Sequence, residues 1–392
     1  MTIDTIKKFA ILSHVLPPAP SGQAIVIYRL LIDLPNCKYC LISHKDKKSY
    51  NASEELPTNY HCIESLIQSK RRNLLVKFFK SYIEIFFRAI QVAKILQREK
   101  CTLLIACTGD IYDLSSAYLI SKWIGIPYVV YIFDDYIYQW QGLKRKTAKW
   151  LEPKIIRNSK GVIVPNEYLQ KEYLRRYGID STIIRNPCLI PDIGELDKAT
   201  DVFSKKEINI VYTGAVYHVN FGAFKNLIKA INILQPMKIK LHVYTSQSKE
   251  LLQQEGIIGD MVIYHEHINQ AEIPKVLRKA DLLFLPLAFD AVIPEVIKTS
   301  APGKMGDYLS VGKPILAHVP EDSFLNWYFQ ENQCGIVVSE NDPNVLSETL
   351  VKVISDKNLQ QKLGEQAVRK AKEDFDVDKV RLEFIKFLGS IR

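Results

Sequence analysis

Apolar residues in this chain fall into short runs separated by longer stretches where they recur every third or fourth position. The first pattern suits buried strands and the second amphipathic helices. In the first half, strands are predicted at Phe9–Val15, Tyr39–Ser43, Thr102–Ala106, Tyr128–Phe133, Gly161–Val164 and Thr182–Ile184. Helical patterns fall between them at Ile25–Leu34, Leu74–Leu96, Leu114–Trp123 and Tyr168–Tyr177. Residues Asn186 to Lys206 hold Pro187, Pro191, Gly194 and a charged run, which is linker composition. Alternation then restarts. Strands are predicted at Ile208–Tyr212, Ile239–Tyr244, Met261–Tyr264, Leu282–Leu285, Ile315–Ala317 and Gly335–Val338. Helical patterns follow at Phe224–Leu234, Ile273–Lys279, Val345–Ile354, Leu359–Lys372 and Val380–Leu388. Strand–helix alternation of this kind marks α/β folds with parallel sheets. Two doubly wound domains follow from it, with ligands expected in loops at the carboxyl ends of strands.

Composition supports this picture. The chain has 392 residues, enough for two cores, and 47% hydrophobic with 24% charged residues is ordinary for globular domains. The apolar run Phe9–Leu16 is too short to span a bilayer and is interrupted by Ser13 and His14, so it reads as a first buried strand in a cytoplasmic protein. The seven cysteines are scattered. Cys37 and Cys40 form a CxxC, with His44, His61 and Cys62 further on, but no second CxxC exists. Buried, reduced thiols and no metal are therefore expected. A net charge of +9 points to an anionic partner, a nucleotide or an acidic membrane surface. No nucleic-acid-binding signature is visible, so no nucleic-acid partner is expected.

The segment Thr299–Ala317, TSAPGKMGDYLSVGKPILA, carries the strongest chemical signal. It joins a Pro302-Gly303-Lys304 turn, Asp307, a short apolar run, a Gly312-Lys313-Pro314 turn and a strand. A turn that exposes N–H groups at a helix start, with a lysine beside it, suits a diphosphate. A carboxylate one turn on suits ribose hydroxyls. Thr213-Gly214-Ala215-Val216-Tyr217-His218 follows another predicted strand, and a glycine there lets the backbone approach a phosphate. Asp134-Asp135 is read as a poor metal chelate, since neighbours on a strand point to opposite faces. Sugar hydroxyls are its expected contacts, with helix capping as the plainer alternative.

Lys279–Leu287 (KADLLFLPL), followed by APGKMGDYLSVGKPILA, resembles the donor-binding region of retaining GT-B glycosyltransferases of family GT4. Pro17–Leu31 resembles that family's opening glycine loop and helix, Ser121–Asp135 its strand-and-acid segment, and Ser159–Ile179 with Arg185–Pro187 its following run. The resemblance covers nearly the whole chain in order. It implies two Rossmann-like doubly wound parallel-sheet domains facing across a cleft. Their bounds are 1–190 for the acceptor domain and 207–375 for the nucleotide-sugar domain, with 376–392 a helix crossing back. It implies transfer of a hexosyl or N-acetylhexosaminyl group from a nucleotide-diphosphate sugar, with retention and no cofactor. The acceptor is a sugar, a lipid-linked molecule or a small molecule, in polysaccharide, glycolipid or glycoconjugate synthesis.

The implied donor contacts are Gly214, Tyr217, His218, Thr299, Ser300, Gly303, Lys304 and Asp307. Gly22, Gln23 and Asp135 are implied on the acceptor side, and Lys304 and Asp134 in catalysis. The family usually has a glutamate where Thr299 stands, and an arginine–lysine pair near Ala215 and Phe221. A subset lacks that pair and carries Pro-x-Lys, which Pro302-Gly303-Lys304 matches. His14 is a further candidate polar contact, base contacts are expected around Tyr264–Ile268, and a hinge near Asn186–Lys206. Other readings are a nucleotide-sugar epimerase, a phosphorylase, or a partner subunit without turnover.

Ser69–Leu96 is basic and aromatic. Leu75, Phe78, Phe79, Tyr82, Phe86, Ala89, Ala93 and Leu96 form one helical stripe, with Lys70, Arg71, Arg72, Lys77 and Lys80 crowding its start. With the basic stretch Trp140–Arg157, this suits peripheral binding to the inner face of an anionic membrane as well as an ordinary core helix.

Overall fold

The computed structural model describes residues 6–45, 55–66 and 74–391, with the side chains of 74–80 left aside. The chain forms two compact units, Met1–Pro187 with Asp378–Arg392, and Cys188–Val377.

The first unit holds a seven-stranded sheet. Its strands are β1 (Phe9–Leu12), β2 (Tyr39–Ser43), β3 (Tyr60–Cys62), β4 (Leu103–Cys107), β5 (Tyr128–Tyr131), β6 (Val162–Val164) and β7 (Thr182–Ile183). They lie in the order β3-β2-β1-β4-β5-β6-β7, all parallel. Ala10 pairs with both Cys40 and Leu104. Side chains alternate between faces along a strand. Ala10 and Leu12 enter one core, and Phe9 and Ile11 enter the other. Both faces are thus buried, as parallel sheets require. The second core is completed by the terminal helix Val377–Ser390, through Val380, Phe384, Ile385 and Leu388. Arg381 fixes it by donating to the Arg29 carbonyl at 2.8 Å.

The second unit holds a six-stranded parallel sheet of β8 (Ile208–Thr213), β9 (Ile239–Tyr244), β10 (Val262–His265), β11 (Leu282–Pro286), β12 (Ile315–His318) and β13 (Ile336–Val338). The order is β10-β9-β8-β11-β12-β13.

Several expectations change. β3 was not predicted; its Tyr60-His61-Cys62 sequence has no apolar run to mark an edge strand. The expected linker 186–206 contains the helix Ile193–Lys198, started by the Asp192 carboxylate accepting from Gly194 and Glu195 N–H groups. Asp197 binds the Arg278 guanidinium at 2.7 and 3.0 Å, so this segment is docked onto the second unit. Asp197 and Asp201, which looked like solvated linker charges, are ion-pair partners of Arg278 and Lys279. Strand β5 stops at Tyr131, so Asp134 and Asp135 lie in a bend beyond it rather than on a strand.

The helix Leu74–Arg98 buries only part of the predicted stripe, of which Leu75, Phe78 and Phe79 lie outside the described side chains. Ala89, Ala93 and Leu96 are buried, but Tyr82 and Phe86 are exposed. The buried face runs through Glu84, Ile85, Arg88, Ala89 and Val92. Two charges on it hid the periodicity, and they are mutually paired. Arg88 bonds Glu84 at 3.0 Å, Asp110 at 2.9 Å and Asp113 at 2.5 Å. Burial, followed by the Asp110 charge, pushes the Asp113 carboxyl up.

Replacing Arg88 by alanine strands these carboxylates in the core. Breaking a buried pair costs about 3–5 kcal/mol. Asp113, already raised by burial, loses the Arg88 charge that lowers it, so the deficit should be largest above neutrality and shrink as acid protonates that carboxyl. Urea unfolding of wild type and variant across pH measures both features.

Candidate active site

In the second unit the strand order reverses between β8 and β11, the switch point where such sheets leave a crevice. β8 ends at Thr213, and Gly214 follows at φ +113°, a conformation that favours glycine. The helix Lys304–Ser310 comes back to this point. Residues four apart share a helix face, and Lys304 and Tyr308 both turn toward the end of β8. The Tyr308 hydroxyl accepts from the Thr213 N–H at 2.8 Å. The Lys304 ammonium lies 3.7 Å from the centre of the Tyr212 ring. A Cβ added at Gly214 would sit 2.8 Å from the Lys304 Nζ. Glycine is required here twice over, for its backbone conformation and for space.

Lys304 is partly exposed as a residue, yet burial of its ammonium lowers its pKa to about 7. No carboxylate among the described residues counters that loss of solvation. The helix has seven residues and Gly303 offers no side-chain cap, so its dipole is small and the lysine is the main source of positive charge. Asp307 sits half-buried in the first turn. Thr299 is buried at the end of the preceding helix, Pro294–Thr299, and its hydroxyl donates to the Glu295 carbonyl at 3.0 Å. Ser300 follows it, half-buried.

The loop after Gly214 is held by two amides. The Gln247 carbonyl oxygen accepts from Val216 N–H at 2.8 Å, and that of Asn220 from Tyr217 N–H at 2.9 Å. Asn220 also donates to the Tyr212 hydroxyl at 3.3 Å. Tyr217 and His218 are exposed, with ring centres 5.5 Å apart edge to face. At the end of β10, His265 stacks on Tyr244 at 4.1 Å. Tyr212, Tyr308, Asn220 and Gln247 were missed in the sequence. Only Tyr308 carried a signal, its four-residue spacing from Lys304.

In the first unit the corresponding reversal lies between β1 and β4. Gly22 is exposed and opens the helix Gly22–Leu31. The Gln23 amide donates to Ser13 Oγ at 2.9 Å and to the Thr108 carbonyl at 3.0 Å, which ties the ends of β1 and β4 together. Gly109, at φ +105°, receives the His14 ring, and burial pulls His14 down to about 4. Asp134 is exposed, while Asp135 is 1% exposed. Although the residue meets solvent, protein crowded around its carboxyl, then the Asp135 charge, raises Asp134. Asp135 binds the Arg176 guanidinium and accepts from the Ile137 N–H at 3.0 Å, so it faces inward. Of the CxxC, Cys37 is exposed and Cys40 buried. Cys40 instead neighbours His61 and Glu99. A cavity of about 650 Å³ lined by Lys8, Cys37, Thr58 and Asn59 holds none of the predicted site residues.

Residues 21–188 match the family described as Glycosyltransferase Family 4, and residues 207–356 match Glycosyl transferases group 1. The chain is a GT4-like glycosyltransferase. No protein of curated function matches this glycosyltransferase. Among solved structures it is similar to a glycosyltransferase from Rickettsia africae, with 16% identity and a TM-score of 0.70 over 98% of each chain. Sucrose-phosphate synthase from Thermosynechococcus elongatus shares 14% identity and a TM-score of 0.70 over 97% of this chain and 98% of that one. HepE of Anabaena, in complex with UDP and glucose, shares 15% identity and a TM-score of 0.69 over 98% and 100%. These likenesses concern the fold, which is GT-B.

Two substitutions test how the glycosyltransferase holds Lys304. Tyr308→Phe leaves the buried Thr213 N–H unmet and should cost about 1–3 kcal/mol of stability. Gly214→Ala adds backbone strain of about 1–3 kcal/mol and drives a methyl group into the lysine. Chemical denaturation reads both losses.

Proposed function

We propose that this glycosyltransferase binds a nucleotide-diphosphate sugar at the carboxyl edge of its second unit and transfers the sugar, with retention, to an acceptor hydroxyl. The observation that carries the reading is the Lys304 ammonium, set over Tyr212 beside Gly214 without a carboxylate partner among the described residues. The acceptor oxygen bonds to the sugar C1 as the bond from C1 to the phosphate oxygen breaks. The acceptor proton passes to the departing diphosphate. Charge grows on that diphosphate, and a fixed cation beside it lowers the barrier. In this reading Lys304 supplies what a divalent ion supplies elsewhere, so a chelator should leave the rate unchanged.

Asp307, one turn further in, accepts from ribose hydroxyls. Gly214, Gly303 and Ser300 line the diphosphate path, and Tyr217 and His218 its outer rim. The proton of the Thr299 hydroxyl is committed to Glu295, so toward a sugar hydroxyl it accepts and does not donate. In the first unit, Gln23 and Asp135 are engaged in holding their own loops. Sugar-hydroxyl contact there is assigned to the exposed Asp134 and to backbone near Gly22. A hexosyl or N-acetylhexosaminyl donor and a glycoconjugate acceptor complete the proposal. Because HepE of Anabaena was solved with UDP-glucose, that compound is a natural first probe.

Calorimetry with UDP-glucose tests the donor seat. A charged hydrogen bond contributes about 1.5–3 kcal/mol, so Lys304→Ala should weaken binding about 10–100-fold. The pH dependence has a definite sign. Below about 7 the free ammonium is already charged and binding is insensitive to pH. Above that, binding must take up a proton, and affinity should fall about tenfold per pH unit until the pKa of the complex is reached. Flat affinity from about pH 6 to pH 9 in wild type would mean that the Lys304 ammonium is charged before the donor arrives, and unchanged affinity in Lys304→Ala would remove it from the diphosphate site. Release of nucleoside diphosphate from a panel of nucleotide sugars identifies the donor.

A peripheral membrane site is part of the proposal. No described helix is long and apolar enough to cross a bilayer. The helix Leu74–Arg98 packs beside Asp113–Ile124, which packs beside Gly142–Asn158. Together they expose Ile83, Phe86, Trp123 and Trp150. Phe86 meets Trp123 edge to face at 4.8 Å, and Lys154 lies 3.8 Å over Trp150. Aromatic rings interleaved with lysines suit anionic lipid headgroups. Lys70, Arg71 and Arg72, and the side chains of Lys77 and Lys80, lie outside the described residues. Vesicles containing phosphatidylglycerol should pull the protein down at low salt, and Phe86→Ser with Trp123→Ser should reduce this. Absence of sedimentation with such vesicles removes the membrane from the proposal.

A further inference from the structure

The first unit brings two thiols together near the amino-terminal side of its sheet. Cys40 lies on β2, and Cys101 lies in the turn that leads into β4. β1 runs between them, with Ala10 paired to Cys40 and to Leu104. The turn is fixed by the Cys101 N–H donating to Leu96 O at 2.9 Å and the Thr102 N–H to Lys8 O at 2.9 Å. It delivers the Cys101 Sγ to 3.7 Å from the Cys40 Sγ. Cys40 is fully buried and Cys101 is 4% exposed.

The surroundings favour thiolate chemistry over metal binding. The Lys8 ammonium binds Glu99 at 2.8 Å and its field reaches both sulfurs. Either thiol can donate across the 3.7 Å contact, and Cys101, the less buried of the two, is the sulfur that a reagent reaches first. His61 and Glu99 also approach Cys40, in a grouping that resembles a cation site. The protons argue against that role. Arg98 can only donate, and its Nη2 lies 2.8 Å from His61 Nδ1, so Nδ1 accepts. The ring proton then sits on Nε2 and donates to Glu99 at 2.9 Å. A metal at Nε2 would have to break this bond, displace Lys8 from Glu99 and turn the imidazole against Arg98.

We propose that Cys40 and Cys101 form a reversible intramolecular disulfide by exchange with a low-molecular-weight disulfide. The Cys101 thiolate attacks one sulfur of the reagent, forms a mixed disulfide and expels one thiolate. The Cys40 sulfur, once its proton leaves, attacks the Cys101 sulfur and expels the second. Two protein thiols are oxidised, one small disulfide is reduced to two thiols, and the two protons pass to those leaving groups. The product is a covalent tie across β1 between β2 and the entry to β4, closing a long loop that contains β3 and the helix Leu74–Arg98. Closing such a loop restricts the unfolded chain.

The test uses the full chain with Cys37→Ser and Cys62→Ser, since those two thiols are exposed and would react on their own account. The folded protein is incubated with glutathione disulfide near neutral pH and examined by intact mass and by peptide mapping without reduction. The expected result is a loss of two hydrogens, a peptide joining Cys40 to Cys101, a higher unfolding temperature, and full reversal by dithiothreitol. Cys40→Ser should stop at a glutathione adduct on Cys101. Folding of that variant is not essential, because the cross-linked peptide from the parent protein decides the matter. If both thiols stay reduced in the folded protein, or oxidation reaches them only in urea, the proposal is overturned.

Discussion

Every strand in both sheets runs parallel to its neighbours, and that constraint decides where chemistry can sit. A parallel pair needs a crossover, the crossovers cover the faces, and both faces become dry. Polar groups that are free to meet a ligand are then pushed to the strand ends. At the carboxyl edge they gather where the winding reverses, between β1 and β4 in one unit and between β8 and β11 in the other.

The two reversals are finished differently. In the first unit the chain fills its own crevice. The Gln23 amide spans from Ser13 to the Thr108 carbonyl, and the His14 ring rests on the bare face of Gly109. In the second unit the space beside the corresponding glycine, Gly214, holds the end of a lysine. Tyr212 and Tyr308 set its position, one as a platform beneath the ammonium and one as a pin between helix and strand. The same backbone device, a positive-φ glycine after a central strand, closes one crevice and furnishes the other with a cation.

Much of the fold was legible because parallel strands buried on both faces read as apolar runs. β2 and β9 have the bounds the sequence predicts, and the predicted runs at Phe9, Tyr128 and Ile315 locate other strands by their first residues. What failed was what depends on a partner distant in sequence. β3 is polar, and only its pairing with Leu41–Ser43 makes it a strand. The helix Leu74–Arg98 buries Arg88 and Glu84, which a hydrophobicity pattern places in water. The segment after Pro187 was read as linker because Asp197 has no visible role until Arg278 arrives from another helix. At the site, Lys304 and Asp307 stood out by spacing. Tyr212 did not, since a tyrosine at the end of an apolar run looks like any core residue.

A lysine held over an aromatic ring differs from a basic pair at a surface loop. A surface pair keeps its hydration and its charge whatever is bound. Lys304 has lost much of its hydration, and the ring repays only part of that loss. With a free ammonium pKa of about 7, its charge near neutrality is incomplete until an anion arrives to stabilise it. In the proposed reading, the stabilisation offered to a diphosphate is correspondingly stronger, because little water competes for the same proton. It is also more selective, because a weakly charged ligand does not restore what burial removed. In the proposed reading Gly214 and Tyr212 therefore do more than make room: a bare glycine and an aromatic ring beside the ammonium leave its missing solvation for the ligand to supply.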